Sequence, residues 1–148
     1  MDWKYIQSFK MLSAEEVYSI LKLRQDIFII EQNCIYDDID NIDLVSEHLM
    51  LFKNKKLVAY SRIVPPGVKF TTYSIGRVLV HPSQRRKNMG RKLVLKSIEI
   101  VKRKKVNSIS IEAQEYLLEF YSSLGFRKTS ETYPVDGIPH VEMIINIH

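Results

Sequence analysis

The alternation of apolar and polar positions divides the chain into short strands and three helices. From Trp3 to Phe9, aromatic and β-branched residues indicate a first strand. Ser13 and Glu16 form an S-x-x-E pair, in which each side chain satisfies the other's free backbone N–H, so a helix starts there. Val17, Ile20, Leu21, Ile27 and Phe28 recur at the spacing of one helical face and carry that helix toward Glu31. The acidic stretch that follows, with Asp37, Asp38, Asp40 and Asp43, reads as loop. His48 to Phe52 and Leu57 to Val64 flank Asn54-Lys55-Lys56 as the two strands of a hairpin, and Pro65-Pro66-Gly67 ends the second. Tyr73 to Val80 is a further strand, stopped by Pro82, which has no N–H to donate. From Asn88 to about Arg103, Leu93, Val94, Ile98 and Val101 mark one helical face. Val106 to Ala113 alternates with period two, setting Ile109, Ile111 and Ala113 opposite Ser108, Ser110 and Glu112. Glu115 to Leu124 predicts a short helix with Gly125 at its left-handed cap. Two strands, Phe126 to Thr132 and Val141 to Ile147, close the chain around the turn-rich Pro134-Val135-Asp136-Gly137-Ile138-Pro139. The predicted order is β-α-β-β-β-α-β-α-β-β, an α/β chain.

At 148 residues there is room for one hydrophobic core, so residues 1–148 are expected to form one domain. Apolar residues at 45% and charged residues at 26% suit an ordinary folded protein, and no apolar run approaches the roughly 20 residues of a membrane span. Met1-Asp2-Trp3-Lys4 is not followed by an apolar stretch of signal-peptide length, and the lone Cys34 cannot form an internal disulfide. A cytoplasmic protein with no membrane partner is expected. The net charge of +5 favours an anionic partner without deciding between a phosphorylated cofactor and nucleic acid. The basic run Lys102-Arg103-Lys104-Lys105 sits at a helix C-terminus, where the dipole favours cations, and lacks interleaved aromatics for base stacking. No nucleic-acid partner is expected from it. His48, His81, His140 and His148 show no metal-ligand spacing, and the acids from Asp37 to Asp43 lack the glycine and final glutamate of a calcium loop, so no metal is expected.

Chemistry concentrates in residues 75–93, where a strand, a basic turn and a helix start follow one another. A helix N-terminus presents free N–H groups and the positive end of its dipole, and Arg85, Arg86 and Lys87 add charge. That combination suits a diphosphate. Gly90 leaves room for close approach to the backbone, and Asn88 is one of the few non-glycine residues that tolerate positive φ. On local chemistry alone, a solvated basic loop with Gly90 easing helix packing accounts for the stretch equally well.

The full order of residues resembles the acetyl-CoA signature of the GNAT superfamily, [R/Q]-x-x-G-x-[G/A], with Arg85 in the first place and Gly90 in the last. Asn88 replaces the usual middle glycine, and Arg86 is bulky where glycine is frequent. Gln114 falls where such proteins often carry Asn after the fifth strand, and Phe120-Tyr121-Ser122-Ser123-Leu124-Gly125-Phe126 resembles their F-Y-x-x-x-G-F junction. Leu23 to Phe28, Glu31-Gln32, Ile39-Asp40, Ile75 to Val78 and Asp136 to His140 resemble its ElaA-like branch.

The resemblance implies a central mixed, mostly antiparallel, twisted sheet that splays between strands 4 and 5 and is flanked by helices. It implies an N-acetyltransferase that uses acetyl-CoA as cosubstrate and a primary amine as acceptor. Main-chain groups of Val78, Leu79 and Val80 would hold the pantetheine arm, with the Val80 N–H donating to the thioester carbonyl as negative charge develops there. Arg85, Arg86, Lys87, Asn88, Met89, Gly90 and Arg91 would hold the diphosphate, and Gln114 would lie beside the cofactor. Tyr121, also at the cofactor, would protonate the departing thiolate; an aromatic packed between helix and sheet is the other role open to it. For the base that frees the amine, Glu112, His48, His140 and Glu31 are candidates. The acids from Asp37 to Asp43 would attract a cationic acceptor. A non-catalytic acyl-CoA-binding domain on the same fold is the alternative reading. Acceptor, acyl-chain length and oligomeric state stay open.

Overall fold

A computed structural model describes residues 1–147; His148 lies outside the described residues. The strands are β1 (Asp2–Ile6), β2 (Glu47–Lys53), β3 (Lys56–Val64), β4 (Tyr73–Val80), β5 (Ser108–Gln114), β6 (Arg127–Lys128), β7 (Tyr133–Val135) and β8 (Ile138–Asn146), and the α-helices are α1 (Ala14–Arg24), α2 (Met89–Lys102) and α3 (Leu118–Ser123). They form one mixed sheet in the order β1-β2-β3-β4-β5-β8-β6, with β7 paired to β8. All pairs are antiparallel except β4 with β5.

Both faces of this sheet are covered. On β2, the neighbours Leu49 and Met50 point to opposite faces, and both are fully buried. Leu49 joins the core under α2 and α3, with Leu93, Val94 and Tyr121, while Met50 joins the core under α1, with Ile20, Leu23 and Tyr60. Among the described residues, no helix is long and apolar enough to cross a membrane.

Local signals account for most boundaries. Ser13 and Glu16 form the expected reciprocal cap at the start of α1. Asn54 and Lys55, at φ 50° and 64°, build a hairpin turn whose two left-handed residues match the twist of the strands. Gly125, at φ 104°, ends α3. Two expectations are corrected. The first helix continues beyond Arg24 to Glu31, but over Gln25–Glu31 it is wound as a π-helix. The strand expected from Phe126 to Thr132 shrinks to Arg127–Lys128, and the turn-rich insert contributes β7, which folds back on β8 about Asp136 and Gly137. The acidic stretch is loop up to Asn41, as expected, but except for the exposed Asp37 its aspartates turn inward.

That inward turn is the main polar feature of the interior. Arg24 is fully buried, with Nε 2.9 Å from Asp38 Oδ2 and Nη1 2.6 Å from Asp43 Oδ1. Arg62, also buried, spans Asp40 and Asp43, its Nη1 lying 2.8 and 3.1 Å from their carboxylates. Arg77 Nε lies 2.8 Å from Asp38 Oδ1, and the Tyr36 hydroxyl donates to that same oxygen at 2.6 Å. Three arginines from α1, β3 and β4 thus lace residues 36–43 against the sheet. His48 sits beneath them, its Nδ1 2.6 Å from the Tyr60 hydroxyl and its Nε2 3.1 Å from the Asp43 carbonyl.

Removing one member of such a buried set strands its partners in low dielectric. Arg24→Met is expected to cost about 3 kcal/mol of unfolding free energy, measured by urea denaturation. The same set makes stability pH-dependent. Burial alone would raise the Asp43 and Asp40 carboxyls, but the neighbouring guanidiniums outweigh it and hold both below the ordinary range. The unfolded chain therefore binds more protons than the folded one, and stability falls as pH drops below about 4. Burial likewise lowers the His48 pKa, so the unfolded imidazole takes up a proton that the folded one resists. A first decline in the urea midpoint is expected as pH drops through about 6.5, and His48→Gln should remove most of it.

Candidate active site

The parallel pairing of β4 with β5 lasts for two residue pairs, Tyr73 with Ile109 and Ser74 with Ser110. Beyond Ser74 the strands separate. β5 stays paired with β8 through Gln114, while β4 carries a bulge: Arg62 and Tyr60, two residues apart on β3, face Gly76 and Leu79, three apart on β4. Arg77 supplies the extra residue at φ 48°, a conformation that disfavours a long side chain, and its ion pairs with Asp38 and Asp40 hold it there. The gap opens into a cleft of about 980 Å³.

One wall of the cleft is the free edge of β4. The His81 N–H donates to the Val58 carbonyl at 2.7 Å, toward β3. Backbone groups of successive strand residues point to opposite edges, so those of Val80 face the cleft, as do those of Val78 two residues earlier. The Val80 carbonyl accepts from Arg85 Nε at 3.3 Å, which leaves the Val80 N–H as the open donor.

At one end of the cleft, α2 begins without a side-chain cap and without an acid in its first turn. The free amides of that turn and the helix dipole therefore have no anion of their own. Asn88 is left-handed at φ 57°, a region open to glycine and tolerated by asparagine, and Arg86 is left-handed at φ 61°. A Cβ built on Gly90 would meet only the Phe120 ring, at 3.7 Å, so packing does not demand this glycine; the space on its open side accommodates a ligand. Uncapped amides, an open glycine and the cations Arg86 and Arg91 fit a diphosphate.

The cleft brings together Val78, Leu79, Val80, Arg85, Arg86, Asn88, Met89, Gly90, Arg91, Gln114 and Tyr121. Lys87 is exposed and lies outside its lining. The Arg85 side chain is turned from the α2 terminus: its two terminal nitrogens grip Glu31 at 2.9 and 2.6 Å. Tyr121 packs edge-on against Phe120 and Phe126, and burial pushes its phenol well above the ordinary range. Of the base candidates, Glu31, Glu112 and His140 line the cleft. His48 does not, because both its ring nitrogens are engaged in the interior. Asp38, Asp40 and Asp43 are spent on arginines, so of the acids expected to draw in a cation only Asp37 lines the cleft outside that network.

Sequence reasoning missed two spanning contacts. Glu31 and Gln32, at the end of the π-helical turn, reach the two banks separately: Glu31 holds Arg85 beyond β4, and Gln32 exchanges amide hydrogen bonds of 3.4 and 3.3 Å with Gln114 at the end of β5. Their adjacency at a helix end carried no local signal of partners 54 and 82 residues away.

Residues 14–147 match the family model of the acetyltransferase (GNAT) domain. A UPF0039 protein of Schizosaccharomyces pombe is 44% identical over 142 residues, covering 94% of this chain and 93% of its own. The crystal structure of Escherichia coli ElaA superposes with a TM-score of 0.90 at 35% identity, covering 97% of this chain and 98% of that one. An acyl-CoA N-acyltransferase from Pseudomonas aeruginosa also reaches 0.90, at 31% identity over 98% of this chain and 99% of its own. With the splayed sheet and these matches over nearly its whole length, the chain belongs to the GNAT acetyltransferase family.

Proposed function

We propose that this protein transfers the acetyl group of acetyl-CoA to a primary amine by direct attack of the amine on the thioester. The observation that carries the reading is the cleft itself, which joins the uncapped N-terminus of α2 to the free edge of β4 and then to Tyr121. The family and the Pseudomonas acyltransferase support it.

Amides of Met89, Gly90 and Arg91, with the cations Arg86 and Arg91, would bind the diphosphate. Backbone groups of Val78 and Val80 would pair with the pantetheine arm as a missing sheet neighbour, since β5 has withdrawn from that edge. The Val80 N–H would stabilise negative charge growing on the thioester oxygen. Tyr121 keeps its proton at neutral pH because burial disfavours the phenolate, and a leaving thiolate is a suitable base for it. Gln114 would border the acetyl group from β5. The Arg85 side chain contacts the Val80 carbonyl and Glu31 in this arrangement, beside the turn that leads to these amides. Asn88 adopts a left-handed conformation open to glycine, which supports an intact turn over the alternative of a binding domain without catalysis.

Calorimetric titration with acetyl-CoA is expected to give saturable binding that Gly90→Glu weakens at least about tenfold, by a side chain and charge in the anion cradle. Absence of binding by the wild type would overturn the cofactor assignment. Tyr121→Phe should keep acetyl-CoA affinity while turnover of an amine, followed by release of the CoA thiol, falls about 100-fold. Unchanged turnover would return Tyr121 to a packing role.

A further inference from the structure

An amine reaching the cleft as an ammonium ion must lose a proton before its nitrogen can attack, so the site needs a group able to take one. The carboxylates that line the cleft are poor choices. Glu31 is gripped by both terminal nitrogens of Arg85. Glu112 has Lys69 Nζ 2.9 Å from one oxygen and the Tyr133 hydroxyl 2.7 Å from the other. Burial opposes its ionisation, yet these partners win and hold its carboxyl below the ordinary range, where it has little affinity for a proton. Asp40 is clamped between Arg62 and Arg77. Asp37 and Asp136 stand exposed at the rim, and carboxylates as a class hold protons too weakly at neutral pH for this task.

His140 differs from all of these. It lies near the start of β8, facing Gln114 on β5 and Tyr133 on β7, half-buried and lining the cleft. Its Nδ1 is 2.7 Å from the Ile138 carbonyl, which can only accept. The neutral ring must therefore carry its hydrogen on Nδ1 and its lone pair on Nε2. Among the described residues, nothing hydrogen-bonds Nε2.

We infer that His140 Nε2 is the proton acceptor for the amine. This assignment rests on the acetyl-transfer reading above. One proton passes from the ammonium ion to Nε2 and on to solvent. The neutral nitrogen forms the new C–N bond, the C–S bond breaks, and the CoA sulfur takes the Tyr121 proton. The second proton lost by nitrogen restores the Tyr121 phenol, so each turnover releases one proton in total. The polar groups on the elements packed against His140 are Glu112 and Gln114 on β5, Tyr133 on β7, Glu142 on its own strand, Asp136 in the β7–β8 turn and Lys69, which is paired with Glu112.

The test uses the full chain with acetyl-CoA and a panel of free amino acids, polyamines and short peptides, following thiol release. With an amine that the wild type acetylates, His140→Gln is expected to lower kcat about 100-fold, leave KM for acetyl-CoA unchanged and abolish the acid limb of the kcat/KM profile. Added imidazole should restore part of the rate to His140→Ala, a rescue that a merely structural histidine would not allow. A His140→Gln enzyme within about threefold of wild type, with the same pH profile, would overturn the inference and leave the acetyl-transfer reading standing. A wild type that binds acetyl-CoA but acetylates nothing in the panel counts against both.

Discussion

A β-strand has two hydrogen-bonding edges, and beyond Ser74 β4 uses only one. Everything about the site follows from that constraint. Because β5 leaves with β8, the edge of β4 is exposed to a cleft and not to bulk water, and its backbone groups can recognise an extended ligand without any particular side chain. The bulge at Arg77 follows closely on the separation, changing the pairing with β3 just beyond the point where pairing with β5 stops. A bulge with an arginine at positive φ does not hold itself. Asp38 and Asp40 hold it, and they in turn are placed by Arg24 and Arg62. The buried ionic lattice and the open cleft are thus two sides of one arrangement.

The division of labour between the two faces follows. The α2 and α3 side supplies the anion terminus and Tyr121, and both are built from local sequence: a strand, a turn and a helix start in one stretch, and an aromatic pair on one short helix. The α1 side supplies Glu31, Gln32, Arg77 and the laced acidic loop, which meet across long separations. Lys69, Glu112, Tyr133 and His140 come from four further segments at the far end of the cleft.

This division also explains what could be read in advance. The strand order along the chain, the Ser13 and Glu16 cap, the Gly125 stop and the strand, basic turn and helix start of residues 75–91 were legible because each depends on neighbours within a few residues. The inward turn of the acidic loop was not. Four aspartates in a polar stretch look solvated unless Arg24, Arg62 and Arg77 are known to be waiting on three different elements. His48 looked available at a strand start for the same reason: its partners Tyr60 and Asp43 are fixed only by tertiary folding. The π-helical turn was hidden because apolar spacing over Gln25–Glu31 suits an ordinary helix as well. β7 was hidden inside a segment whose prolines and glycine announce turns more strongly than strands.

The bare start of α2 has a consequence for the life of the folded chain. A helix that lacks its own N-cap leaves part of its stabilisation to whatever anion docks there. By linkage, a ligand that binds the native state and not the unfolded one adds about 2.7 kcal/mol of stability when its concentration is a hundredfold above its dissociation constant. A ligand held at α2 would therefore act as an external cap, and the resistance of this protein to unfolding and proteolysis would report how much of that ligand surrounds it.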